Sequence, residues 1–196
     1  MLQRNGAYIN DLYRGFNMTT SIKLNAGDLF PEMQVTLLDG SSVTLGKPQG
    51  NATWRAVFVY RGKHCPLCTK YLNELESYKQ KLLDSGVEII AVSADSKQQL
   101  EEHIEKLTIS FPIAYGLTEQ QMQTLGLYIS IPRSEQETDH NFSEPALFVI
   151  NENGGLQIVD LSNNPFVRPE LESLVNGIGW IRNPDNNYPI RGTFKY

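Results

Sequence analysis

Apolar positions recur along the chain with two periods, and the two alternate. Val35 and Leu37 alternate with polar neighbours, Asp39-Gly40 interrupts them, and Val43 and Leu45 resume, which reads as a hairpin. Trp54 to Tyr60 (WRAVFVY) is a run suited to a strand covered on both faces. The period then changes. Leu67, Tyr71, Leu72, Leu75, Tyr78 and Leu82 return every three or four residues, predicting a helix from near Pro66 that stops at Gly86. Val87 to Val92 (VEIIAV) is a second buried strand. Ser96 and Gln99 form a capping box ahead of Leu100, Ile104 and Leu107, and a short strand is expected from Phe111 to Tyr115. Thr118 and Gln121 repeat the box before a short helix ended by Gly126. Leu147–Ile150 and Leu156–Val159 flank Asn153-Gly154, a strong hairpin turn. Pro169 suits the first position of a last helix carrying Leu171, Leu174, Val175 and Ile178. The stretch from Asn183 to Tyr196 reads as an irregular coat.

Strands alternating with helices demand a central sheet covered by helices on both faces. The terminal antiparallel hairpin makes that sheet mixed. The expected architecture is therefore α/β, with an N-terminal β-hairpin extension to the sheet. No repeat or linker divides the chain, so one domain is expected over residues 24–196. Residues 1–23 show no period and are expected to form a poorly ordered extension.

With 196 residues, the chain is one domain's worth. Hydrophobic residues make up 40% and charged residues 20%, too apolar and too weakly charged for a disordered chain. The formal charge is −5 with no basic run, so nucleic acid is not an expected partner. No apolar stretch approaches the roughly 20 residues that span a bilayer, and no secretory signal pattern opens the sequence. The expected setting is cytoplasmic. There a close cysteine pair is usually catalytic, redox-sensing or metal-bound.

The two cysteines are Cys65 and Cys68, in Cys65-Pro66-Leu67-Cys68. They fall between a strand and a helix. A helix N-terminus offers unpaired N–H groups and about half a positive charge, both favouring a thiolate. Arg61, Lys63 and Lys70 add positive charge, His64 adds more if protonated, and no acid lies between Arg61 and Lys70. Cys65 at the helix mouth is the expected exposed nucleophile. Cys68, three residues on and on the same face, is placed to resolve a mixed disulfide. Pro66 pre-sets the helical φ where no N–H is needed. Other readings of these residues are two inert core cysteines, a zinc site and an idle loop histidine at His64. Zinc would need two more ligands; His103 and His140 are far from finger spacing, and His103 is expected on the polar side of its helix.

The strand–CxxC–helix unit, followed by βαβ and a final hairpin and helix, resembles the thioredoxin fold. Gly27-Asp28-Leu29-Phe30-Pro31 with Leu37-Leu38-Asp39-Gly40 resembles the opening of the alkyl hydroperoxide reductase/thiol-specific antioxidant group, the peroxiredoxin-like redoxins. VFVYRGKHCPLCTKYLNEL is similar to its active-site segment and EPALFVINENG to its late strand and turn. FVRPELESLVNGI and NYPIRGT resemble the C-terminal part of one bacterial subgroup, so the likeness spans most of Leu24 to Thr193.

The resemblance implies redox chemistry at Cys65 and Cys68, and the departures choose between substrates. Peroxiredoxins usually carry P-x-x-x-T/S-x-x-C, which puts Phe58 at the Pro position and Gly62 at the Thr/Ser position. Their active-site Arg usually precedes the LFVI-type strand, where this chain has Glu144-Pro145. Thioredoxin-like disulfide reductases have a cis-proline there, facing the CxxC, and Pro145 matches it. The plainer alternative is a trans Pro145 that starts an edge strand. The expectation is thiol–disulfide exchange, with Cys65 attacking and Cys68 resolving, supported by Pro145, His64, Pro66, Arg61 and Lys63. Its partners are a disulfide substrate and an external dithiol donor. No cofactor is expected, since no G-x-G-x-x-G follows a strand. The alternatives are a thiol peroxidase acting on hydroperoxides through a Cys65 sulfenic acid, and a redox-inert thioredoxin-fold interaction module.

Overall fold

A computed structural model describes residues 22–194. The expectation for the N-terminal extension falls mostly on residues 1–21, outside the described residues. Lys23 is anchored: its Nζ donates to the Gly126 carbonyl at 2.6 Å and lies 3.7 Å from the Tyr128 ring centroid.

The strands are β1 (Gln34–Leu37), β2 (Ser42–Thr44), β3 (Trp54–Val59), β4 (Val87–Val92), β5 (Ile113–Tyr115), β6 (Ile129–Ser130), β7 (Phe142–Ser143), β8 (Ala146–Ile150) and β9 (Leu156–Leu161). The helices are α1 (Pro66–Glu76), α2 (Lys79–Asp84), α3 (Lys97–Ile104), α4 (Glu119–Thr124) and α5 (Leu171–Arg182). Seven strands form one sheet in the order β2-β1-β5-β4-β3-β8-β9. β3, β4 and β5 run parallel; the other pairings are antiparallel, so the sheet is mixed. β6 and β7 pair separately.

Every residue of β3 is buried, including Arg55, whose guanidinium pairs with Glu88 of β4 at 2.6 Å. Trp54, Ala56 and Phe58 enter one core with Leu72, Leu75, Leu82, Leu100 and Val175, from α1, α2, α3 and α5. Val57 and Val59 enter a second core with Met122 of α4, Val35 and Phe148. A strand's twofold alternation thus feeds two cores from one segment. The Asn153-Gly154 turn forms as expected. Gly154 takes φ +77°, and Asn151 Oδ1 accepts the N–H groups of Asn153 and Gly155.

Some boundaries differ from the sequence pattern. The helix expected to run from Pro66 to Gly86 is two, broken at Ser77-Tyr78, where Ser77 Oγ donates to the Glu74 carbonyl at 2.7 Å. A serine that satisfies the backbone locally competes with the helical ladder. α5 starts after Pro169, because Glu170 caps it: its carboxylate accepts the N–H groups of Glu172 and Ser173. β6 and β7, two residues each, are too short to show a period. Among the described residues no helix is long and apolar enough to cross a membrane.

Phe148 is fully buried at the centre of the second core, with its ring 5.5 Å from that of Phe30. Phe148→Ala is expected to lower stability by about 3–5 kcal/mol. Urea unfolding checks this as a fall in midpoint at unchanged slope.

Candidate active site

β3 and β4 are parallel neighbours in register from Trp54↔Val87 to Val59↔Val92, so both end at the same edge of the sheet. Beyond them lie Arg61–Cys65 on one side and Ser93–Asp95 on the other. Crevices outside the carboxyl ends of parallel strands are the usual ligand sites of such sheets.

Cys65 is the N-cap of α1, with extended backbone (φ −103°, ψ 100°), and Pro66 occupies the first turn. Its Sγ stands where a capping serine oxygen would stand and accepts the Cys68 N–H at 3.3 Å. Its carbonyl accepts the Thr69 N–H at 3.2 Å and lies 3.3 Å from Thr69 Oγ1. The Cys68 S–H donates to Cys65, the largest influence holding the Cys65 thiol down to about 6. The Cys68 N–H, Arg61 and Arg168 act in the same direction, against burial. Cys68 is driven the other way, well above the ordinary thiol range, by donating to Cys65, by burial and by the neighbouring thiolate. One thiolate and one thiol form a pair in which each state fixes the other.

The surroundings depart from the sequence reading in five respects. First, Cys65 is not exposed: it is 2% accessible and Cys68 0%, because both belong to the core built on Phe58, Tyr60 and Leu72. Second, the cations are opposed by acids from elsewhere in the chain. Arg61 lies 3.4 Å from Glu137 and 3.4 Å from Glu144, Lys63 pairs with Glu102, and Lys70 lies 3.7 Å from Glu74. Third, His64 adds no charge. Burial, then Arg61, lowers it to about 4, with its ring centroid 4.6 Å from that of Phe142. Fourth, His103 is fully buried on α3, its Nε2 2.9 Å from Thr69 Oγ1 and its ring 5.7 Å from Tyr60, because that face of α3 packs onto α1.

Fifth, the Glu144–Pro145 peptide is trans. The chain passes straight from β7 into β8. The Glu144 N–H donates to the Tyr128 carbonyl at 2.8 Å, and the Pro145 carbonyl accepts from Ser162 at 3.0 Å. β8 lies inside the sheet between β3 and β9, so it is not an edge strand either. Pro145 still borders α1, sharing a small apolar cleft with Tyr71, Leu72 and Arg168.

Four residues escaped the sequence reading. Asp95 is fully buried, and its Oδ2 accepts the Lys63 N–H at 2.8 Å. Burial raises its pKa, opposed by that N–H and by His140, whose Nε2 is 3.7 Å from Oδ1. Asp95 also explains Gly62, which sits at φ +125°; a Cβ there would collide with the Asp95 carboxylate. Glu137 and Glu144 hold Arg61. Arg168, from the β9–α5 loop, lies 4.9 Å from the Tyr71 ring centroid and donates twice to the Pro165 carbonyl. Only the register of β3 with β4 brings Asp95 to Gly62, and no local motif announces it.

Residues 26–159 match the family model described as AhpC/TSA family. Thiol-disulfide oxidoreductase ResA of Bacillus thuringiensis subsp. konkukian is 33% identical over 135 residues, 66% of this chain and 72% of that protein. Peroxiredoxin Bcp of Escherichia coli K12 is 27% identical over 105 residues, 54% of this chain and 66% of that protein. A solved structure, a peroxiredoxin-like protein from Aquifex aeolicus, superposes with a TM-score of 0.67 at 19% identity, covering 81% of this chain and 88% of that one; it supports the shared fold. The chain belongs to the AhpC/TSA family, a thioredoxin-fold redoxin that acts as a thiol-dependent oxidoreductase.

Proposed function

We propose that the protein exchanges disulfides with a partner through Cys65 and Cys68. The observation that carries this reading is geometric: two cysteines stand one helical turn apart, and the Cys65 Sγ caps α1 by accepting the Cys68 N–H at 3.3 Å, an arrangement that favours the thiolate at Cys65 and the thiol at Cys68. The Cys65 thiolate attacks one sulfur of the oxidised partner, forming a mixed disulfide and releasing the other sulfur as a thiolate that takes up a proton. Cys68 gives up its proton and attacks Cys65 Sγ, expelling the second partner thiolate. Two electrons pass to the partner, leaving a Cys65–Cys68 disulfide. An external dithiol then reduces the pair, in a setting taken to be cytoplasmic. Pro66 pre-sets the helix start, and Arg61 supports the thiolate from its carboxylate tether. Lys63 serves through its main-chain N–H, which fixes Asp95. The trans Pro145 contributes only as a wall beside α1.

The peroxide alternative lacks its hydroxyl, since Gly62 leaves no room for one beside Asp95. One observation favours it: at 2% exposure, Cys65 suits a small oxidant better than a bulky one.

Two sets of variants test the reading. Cys65→Ser is expected to abolish disulfide turnover, whereas Cys68→Ser accumulates partner-linked adducts on non-reducing gels and consumes peroxide slowly. Rapid peroxide consumption by Cys68→Ser, ending at a sulfenic acid, would establish the peroxidase instead. Gly62→Thr is expected to cost about 2 kcal/mol or more without raising the peroxide rate. Adding Asp95→Ala should recover part of that loss, measured as a thermal-unfolding midpoint.

A further inference from the structure

The function proposed above leaves open what the partner disulfide carries beside its sulfurs. Two clefts border α1, one at Tyr71 and Leu72 and one at its start, and they differ in size and chemistry. The apolar one, walled by Pro145, Tyr71 and Arg168, has room for about 20 Å³, roughly one water. The other, of about 500 Å³, opens between Lys63–Pro66 and the loop at residues 135–139, with Asp95 and Lys106 also on its walls. It borders the residues on either side of Cys65, His64 and Pro66. Its volume falls in the range of small-ligand sites.

Two features of this second cleft point to a ligand. Its rim carries opposite charges with no ionic partner: among the described residues neither Lys106 nor Glu135 forms an ion pair, and both are exposed. The acids and bases around them are otherwise engaged: Lys63 with Glu102, Glu137 with Arg61 and Arg133, and Asp139 with His140. Beside the cleft, both ring nitrogens of His64 are withheld from water without a hydrogen-bond partner. Such atoms are costly unless something meets them. A neutral imidazole offers one donor and one acceptor, the complement of an amide.

We propose that this cleft receives one half of a small zwitterionic disulfide, that of an amino acid or short peptide. Lys106 anchors its carboxylate, Glu135 anchors its ammonium group, and His64 meets its amide. The bound disulfide then lies against His64 and Pro66, the chain neighbours of Cys65. The chemistry is that of the exchange above: the dithiol loses two electrons, the disulfide becomes two thiols, and the Cys65–Cys68 bond forms. This inference rests on the disulfide-exchange reading.

The test is a single turnover of the fully reduced chain. It is mixed with glutathione disulfide and, separately, with uncharged bis(2-hydroxyethyl) disulfide, and formation of the Cys65–Cys68 bond is followed by acid quench, alkylation and mass. The rate is expected to favour glutathione disulfide by roughly three- to tenfold. Lys106→Gln and Glu135→Gln should each reduce that ratio by roughly two- to fivefold, and rising ionic strength should reduce it too. Lys97→Gln, on exposed Lys97 paired with Glu101, is the control and should leave both rates unchanged. Equal rates for the two disulfides, or a ratio unmoved by both cleft variants, would overturn the proposal while leaving disulfide exchange intact. A reduced chain inert to both disulfides but quickly oxidised by hydrogen peroxide would overturn the exchange reading and the cleft assignment together.

Discussion

The hydrogen bonding from Cys68 to the Cys65 sulfur organises the site. One residue supplies both an N–H and an S–H to a single acceptor at a helix mouth. The acceptor gains by being charged and the donor by staying protonated, so the two thiols are driven apart. This asymmetry needs no metal, cofactor or distant base. It follows from placing two cysteines three residues apart, with the first outside the helix and the second inside. Pro66 helps by fixing the first helical residue without competing for that acceptor.

The charged groups act differently from their positions in the sequence. Arg61 stands four residues before Cys65, but Glu137 and Glu144 share its guanidinium, so its pull on the thiolate is that of a tethered cation. His64 is neutral because it is buried beside that same arginine. Arg168 comes from the far end of the chain and meets α1 at Tyr71. The thiolate therefore depends mainly on hydrogen bonds one turn away, with cations secondary.

The sheet, both hairpins, both capping boxes and the cysteine position were legible because each rests on local periodicity or local capping. The failures were not local. Asp95 reaches Gly62 only through the parallel register of β3 and β4, and Glu137 reaches Arg61 only because the β6–β7 connection folds over the site. The cover that buries Cys65 is likewise tertiary. The departure at Gly62 was visible in the sequence, but its cause was not: the absent hydroxyl and the buried Asp95 occupy the same space. Pro145 shows the converse hazard, since a matched position did not carry the matched conformation.

The central claim is that one thiol is held as a thiolate by the other. Titrating the reduced chain while recording ultraviolet thiolate absorbance tests it most directly. The account predicts that one thiolate appears through a midpoint near 6 and that the second does not appear before strongly alkaline pH. Two thiolates appearing together near the ordinary cysteine value of about 8.5 would contradict it.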